Sequence, residues 1–143
     1  MSPDVERFVQ AQDEGGTYDR ALAELWAGRK TSHWMWFVFP QVQGLGHSAM
    51  AQRYAVSGLD EARAYLAHPV LGPRLRECCE ALLALPEPAT AARVLGAVDG
   101  VKLRSSMTLF ALADPQEPAY DEVLARWFDG VPDQRTVELL DHR

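Results

Sequence analysis

Apolar residues recur three and four positions apart along almost the whole chain, and glycine or proline interrupts the pattern before any run grows long. No stretch alternates with the period of two that a half-buried strand needs, no Asn-Gly hairpin signal occurs, and isoleucine is absent. A chain patterned this way is expected to pack as short helices. The spacing predicts helices over 4–13, 18–29, 33–39, 49–56 and 59–67. A longer one starts at His68-Pro69, with proline at its first position, and runs to Leu85. A short helix follows Thr90, and others cover 99–112, 118–129 and 133–141. Ser32, Ser48, Ser57, Thr90 and Asp99 are the expected N-caps, because their side chains can accept from first-turn N–H groups. The fold class is therefore all-α: one compact domain over 1–143 with eight to ten short helices. Their unequal lengths suit an irregular packing better than a four-helix bundle.

The totals exclude several functions. A chain of 143 residues suits one core, and 48% hydrophobic with 24% charged residues is globular composition. The net charge of -6 disfavours nucleic acid, whose phosphates an acidic surface repels. No apolar run reaches the length of a membrane span. The N-terminus, Met-Ser-Pro-Asp-Val-Glu, lacks the basic and apolar regions of a signal peptide, so a cytoplasmic protein is expected. Cys78 and Cys79 are adjacent, a geometry too strained for a mutual disulfide. One is expected as a buried hydrophobe and the other as a partly exposed thiol. The four histidines, at 33, 47, 68 and 142, show no metal-site spacing, and neither a metal nor a cofactor is expected. Oligomeric state is left open.

Two segments carry polar chemistry in unusual surroundings. The first runs from Lys30 to Ser48 and reads Lys-Thr-Ser-His-Trp-Met-Trp-Phe-Val-Phe-Pro-Gln-Val-Gln-Gly-Leu-Gly-His-Ser. Trp34 and Trp36 are candidates to stack on a flat ligand, or else they are core. His33 is a candidate acid/base, since imidazole titrates near neutrality, or else a capping histidine. Lys30 is a candidate anion partner. Gln41, Gly44, Gly46 and Ser48 form a loop whose glycines either admit a ligand to the backbone or supply positive φ. The second segment is Asp99-Gly-Val-Lys-Leu-Arg-Ser-Ser-Met-Thr-Leu-Phe110. On a helix, Asp99, Lys102 and Ser106 share one face, and Ser105 and Thr108 lie three apart. Polar groups on so apolar a helix need partners, from a ligand or from neighbouring helix ends.

The residues His33-Trp-Met-Trp-Phe-Val-Phe-Pro-Gln41, Gly44-Leu-Gly46, Ala64-Tyr-Leu-Ala-His-Pro-Val-Leu-Gly72 and Lys102-Leu-Arg-Ser-Ser-Met-Thr-Leu-Phe110 resemble a bacterial family of unknown function, number 1810 among such families. Its members are often mislabelled calpastatin, although calpain-inhibitor segments are disordered and this chain has a core. The resemblance covers nearly the whole chain and implies one mostly helical domain, with no established activity. A fainter likeness links Glu6-Arg-Phe-Val-Gln-Ala-Gln12 to a motif of small helical N-glycosidases acting on ADP-ribose-type and riboflavin-precursor substrates. It implies a functional glutamate at Glu6. That family's downstream Trp-Gly motif has no counterpart here, and Asp99 is a loose match.

Three readings follow. In the first, the aromatic segment, the glycine loop and the polar face of 99–108 line a pocket for a small anionic or nucleotide-like molecule. Glu6, His33 or Asp99 would then supply acid/base chemistry, as in an N-glycosidase. In the second, the same residues form a flat surface for a protein partner. In the third, they specify helical packing and nothing more.

Overall fold

A computed structural model describes residues 4–141. Among them the chain forms ten α-helices and one 3-10 turn, with no β-strand beyond a single isolated bridge. The first helices are α1 (Glu6–Asp13), α2 (Thr17–Ala27) and α3 (Met35–Val38). Next come α4 (Ala49–Arg53), α5 (Leu59–Ala67), α6 (Leu71–Ala84) and α7 (Ala91–Leu95). The chain closes with α8 (Ala97–Ala113), α9 (Ala119–Phe128) and α10 (Gln134–Asp141). No helix is long and apolar enough to cross a membrane among these residues.

Helix α8 is the axis of the fold. It packs against α5, α7, α9 and α10, while α6 fills the space between α2, α5 and α9. Every residue from Ser105 to Phe110 is buried, so this stretch of the helix is enclosed on every side. A chain of aromatic contacts runs from it across the core. Tyr120 meets Phe110, Phe110 meets Tyr65, and Tyr65 meets Phe8, with ring centroids 6.0, 5.2 and 5.2 Å apart. Tyr54 then joins Phe8 to Phe37 at 5.9 and 5.3 Å. Burying these rings makes a large apolar contribution to stability. Where α5 meets α6 the backbones touch. A Cβ at Gly72 would lie 2.1 Å from the Leu66 carbonyl oxygen, so only glycine fits there.

Several local expectations change. The 33–39 segment is helical for one turn only, because Trp34 starts it and Pro40 follows its end. Ser32 does not cap it. Its hydroxyl goes to the Glu24 carboxylate instead. Ser48 and Thr90 do cap α4 and α7, accepting from Ala51 N and Arg93 N at 3.1 and 3.2 Å. Gly58, rather than Ser57, occupies the cap position of α5, and Glu61 reaches back to Ser57 N at 3.0 Å. The helix after His68-Pro69 begins two residues later, at Leu71. Asp99 lies inside the first turn of α8, which starts at Ala97. Both thiols are buried rather than one, and burial pushes Cys78 up to about 12.

Candidate functional site

Glu24 organises the segment that leads to the site. It sits on the inward face of α2 at 8% exposure, between Ala21 and Leu25. Its Oε1 accepts from Thr31 N at 2.8 Å, Ser32 N at 3.0 Å and the Trp34 indole Nε1 at 2.9 Å. Its Oε2 accepts from the Ser32 hydroxyl. Burial opposes the charge, but the hydrogen bonds from Ser32, Trp34 and the backbone outweigh it and hold the carboxyl at about 2. The reading of the sequence missed this residue. The available signal was a glutamate in the apolar register of an amphipathic helix, where an unpaired charge would be too costly to keep.

Trp34 is thereby fixed in the core, fully buried, and it does not line the cavity described below. On its other side lies Lys30, whose Nζ is 5.2 Å from the ring centroid. The Lys30 side chain is 8% exposed and pairs with Asp99 Oδ2 at 2.9 Å, while Lys102 pairs with Asp99 Oδ1 at 3.2 Å. Burial works against Asp99's charge, yet the two lysines prevail and lower its pKa. Lys102 in turn lies 5.4 Å from the centroid of Trp36. The two tryptophans, two lysines and one aspartate thus form a continuous run from the core to the surface.

At the surface end is a cavity of about 250 Å³. Met35, Trp36, Phe39 and Tyr54 supply its apolar walls, and Gln41, His47, Ser48 and Lys102 its polar ones. The loop that carries Gln41, His47 and Ser48 is pinned at its base. Gln43 N donates to Val56 O at 2.7 Å and Val56 N to Gln41 O at 2.8 Å, forming the isolated Val42–Val56 bridge. Arg7 holds the returning strand of chain from below, donating to Arg53 O at 3.0 Å and Ala55 O at 2.8 Å while pairing with Glu61 at 3.1 Å. The two loop glycines have different purposes. Gly44 has φ of 107°, a left-handed conformation. Gly46 instead presses on α4, where an added Cβ would come within 2.5 Å of the Ala51 Cβ.

Of the candidate residues, Trp36, Gln41, Gly46, Ser48 and Lys102 line the cavity. Gly44 lines an adjoining hollow of about 290 Å³ together with Gln43 and Gln52. Lys30 and Asp99 stand behind Lys102 as its electrostatic support. His33 is exposed and is not a lining residue, whereas His47, which was not a candidate, is one. Ser105 is turned away, donating to Asp133 Oδ2 at 3.1 Å, and Asp133 N donates to Thr108 Oγ1 at 2.9 Å. Both hydroxyls therefore anchor the start of α10. Ser106 is fully buried, and its hydroxyl has no hydrogen-bond partner among the described residues. Glu6 is not a lining residue either. Its side chain is 63% exposed and meets His68 Nε2 at 2.7 Å. His142 lies outside the described residues. No cluster of three His, Cys, Asp or Glu side chains suited to a metal occurs among those described.

The same arrangement of motifs defines a wider group. The family model described as "Protein of unknown function (DUF1810)" matches residues 2–140. The chain belongs to this family. Its fold is also that of a solved relative, the conserved hypothetical protein Rv1873 from Mycobacterium tuberculosis. The two share 47% sequence identity over 96% of each chain, with a TM-score of 0.92. No curated protein matches the chain. The fainter N-glycosidase likeness gains no support from these comparisons.

Proposed function

We propose that the protein binds a small anionic molecule in the cavity beside Trp36 and Lys102. The observation that carries this reading is the convergence of three separated segments on one concave site. The one-turn helix α3 contributes aromatic surface, the 41–48 loop contributes Gln41, His47 and Ser48, and α8 contributes a lysine. Apolar walls with a few convergent polar groups are the usual makeup of a ligand site. An interaction surface would be flatter. Pure packing would not call for Lys102 to stand over Trp36 at the wall of a hollow.

A thermal-shift series against small aromatic carboxylates, nucleotides, ADP-ribose, NAD and phosphosugars tests the proposal. A ligand at about 100 times its dissociation constant stabilises the fold by about 2.7 kcal/mol. The shift should vanish in Lys102→Ala and Trp36→Phe, with the variants still helical, and persist in Glu6→Gln. A shift that Glu6→Gln abolishes and Lys102→Ala retains would move the site to α1 and refute the cavity. No shift with any anion would also count against it.

A further inference from the structure

We infer that the ligand is a compact single-ring aromatic molecule carrying one carboxylate, an inference that rests on the proposed binding site and narrows its substrate class. The charge balance comes first. Asp99 has spent both oxygens, one on Lys30 and one on Lys102. Two ammonium groups therefore share one carboxylate, leaving one positive charge unbalanced where Lys102 meets the cavity. The chain holds 20 acidic residues against 14 lysines and arginines, yet among the described residues no acidic side chain lines this cavity or the adjoining hollow. An acidic protein that keeps acids away from one lysine suits a single negative charge there.

Shape gives the second part. Lys102 sits over Trp36, so a carboxylate on the ammonium places its attached group between the Trp36, Phe39 and Tyr54 rings. Gln41 and Ser48 are left to meet ring substituents. Size gives the third. The cavity, about 250 Å³, is below the ~300–1,000 Å³ of sites for drug-sized ligands. The adjoining hollow meets the cavity at Gly46, His47 and Ala51, with Gly46 packed against Ala51 at the junction. A dinucleotide or ADP-ribose is larger than the cavity alone.

The test is a titration of the full chain followed by its tryptophan indole signals in proton–nitrogen correlation spectra, with Trp36→Phe assigning its resonance. The probes are pyridine-3-carboxylate, its carboxamide, phenyl phosphate and NAD. The carboxylate should move the Trp36 signal and bind at least about tenfold tighter than the amide of the same shape, the margin of one charged hydrogen bond. Lys102→Met should remove that preference. If this variant does not fold, the acid and amide on the unaltered chain decide alone. Equal binding of acid and amide overturns the inference, as does tighter binding of phenyl phosphate. NAD binding at Trp36 with loss in Lys102→Met would also overturn it while leaving the anion site intact. No movement of Trp36 with any probe would refute both.

Discussion

Glu24→Gln is the substitution that most directly tests how this site is held. The amide keeps the length of the side chain and one acceptor oxygen, so Thr31 N, Ser32 N and Trp34 Nε1 can still be met. What disappears is the charge. A carboxyl held at about 2, against an ordinary 4.5, contributes about 3 kcal/mol at neutral pH. At 8% exposure, solvent screening takes little from that figure. The sign follows from the direction of the change. A depressed pKa stabilises the fold above the ordinary glutamate value, and the contribution is lost as pH falls from about 4.5 toward 2. Urea unfolding at pH 7 should therefore show the variant less stable by about 2–3 kcal/mol, with an unchanged m-value. The difference should shrink steadily below pH 4.5 and be nearly gone at pH 2. The Trp34 indole signal should move as its acceptor becomes neutral, and ligand binding should weaken because the 31–34 turn sets the angle of α3. A variant within 0.5 kcal/mol of the parent at pH 7, or a gap that stays constant down to pH 2, would refute the role assigned to Glu24.

Three further outcomes follow from contacts already described. Asp99→Asn should destabilise by about 2–4 kcal/mol at pH 7, since it strands two partly buried ammonium groups. Because Asp99's pKa is lowered, that penalty should fade below about pH 3.9, which urea unfolding at pH 7 and pH 3 would reveal. Gly72→Ala should cost at least about 2 kcal/mol despite alanine's better helix propensity, because its Cβ meets the Leu66 carbonyl in backbone that cannot yield; equal thermal stability would contradict this close approach. Trp34→Phe should cost about 1–3 kcal/mol by withdrawing a donor from buried Glu24, while Trp36→Phe, at a partly exposed position, should cost less than 1 kcal/mol and act on binding instead. Parallel melting curves and titrations of the two variants separate these effects.

What could be read from the chain depended on how far apart the interacting residues are. Helices α5 and α9 follow from local spacing, and the caps at Ser48 and Thr90 follow from chemistry within three residues. Ser32, Ser57 and Asp99 looked equally good as caps. Two of them are claimed by a side chain from another element: Ser32 by Glu24 and Asp99 by Lys30. At the third, Gly58 takes the cap position of α5 and Glu61, in the same helix, reaches back to Ser57 N. A local rule assigns a polar side chain to its nearest backbone N–H, and it fails when a distant partner offers a charged bond instead.

The same competition explains which site residues were legible. Trp36, Gln41, Ser48 and Lys102 stood out because polar and aromatic groups are conspicuous in an apolar stretch, and those four do meet at one cavity. Ser105 was equally conspicuous, but its partner Asp133 is 28 residues away and ties it to α10. Trp34 and Trp36, two residues apart, cannot share a face of one helical turn, so only one could line the cavity. The indole N–H decides between them. Glu24 captures that of Trp34 and draws its ring inward, and Trp36 is left at the surface end beneath Lys102. The orientation of the aromatic wall is therefore set by one buried glutamate on another helix. This is why a substitution at Glu24, outside the cavity, should alter what the cavity binds.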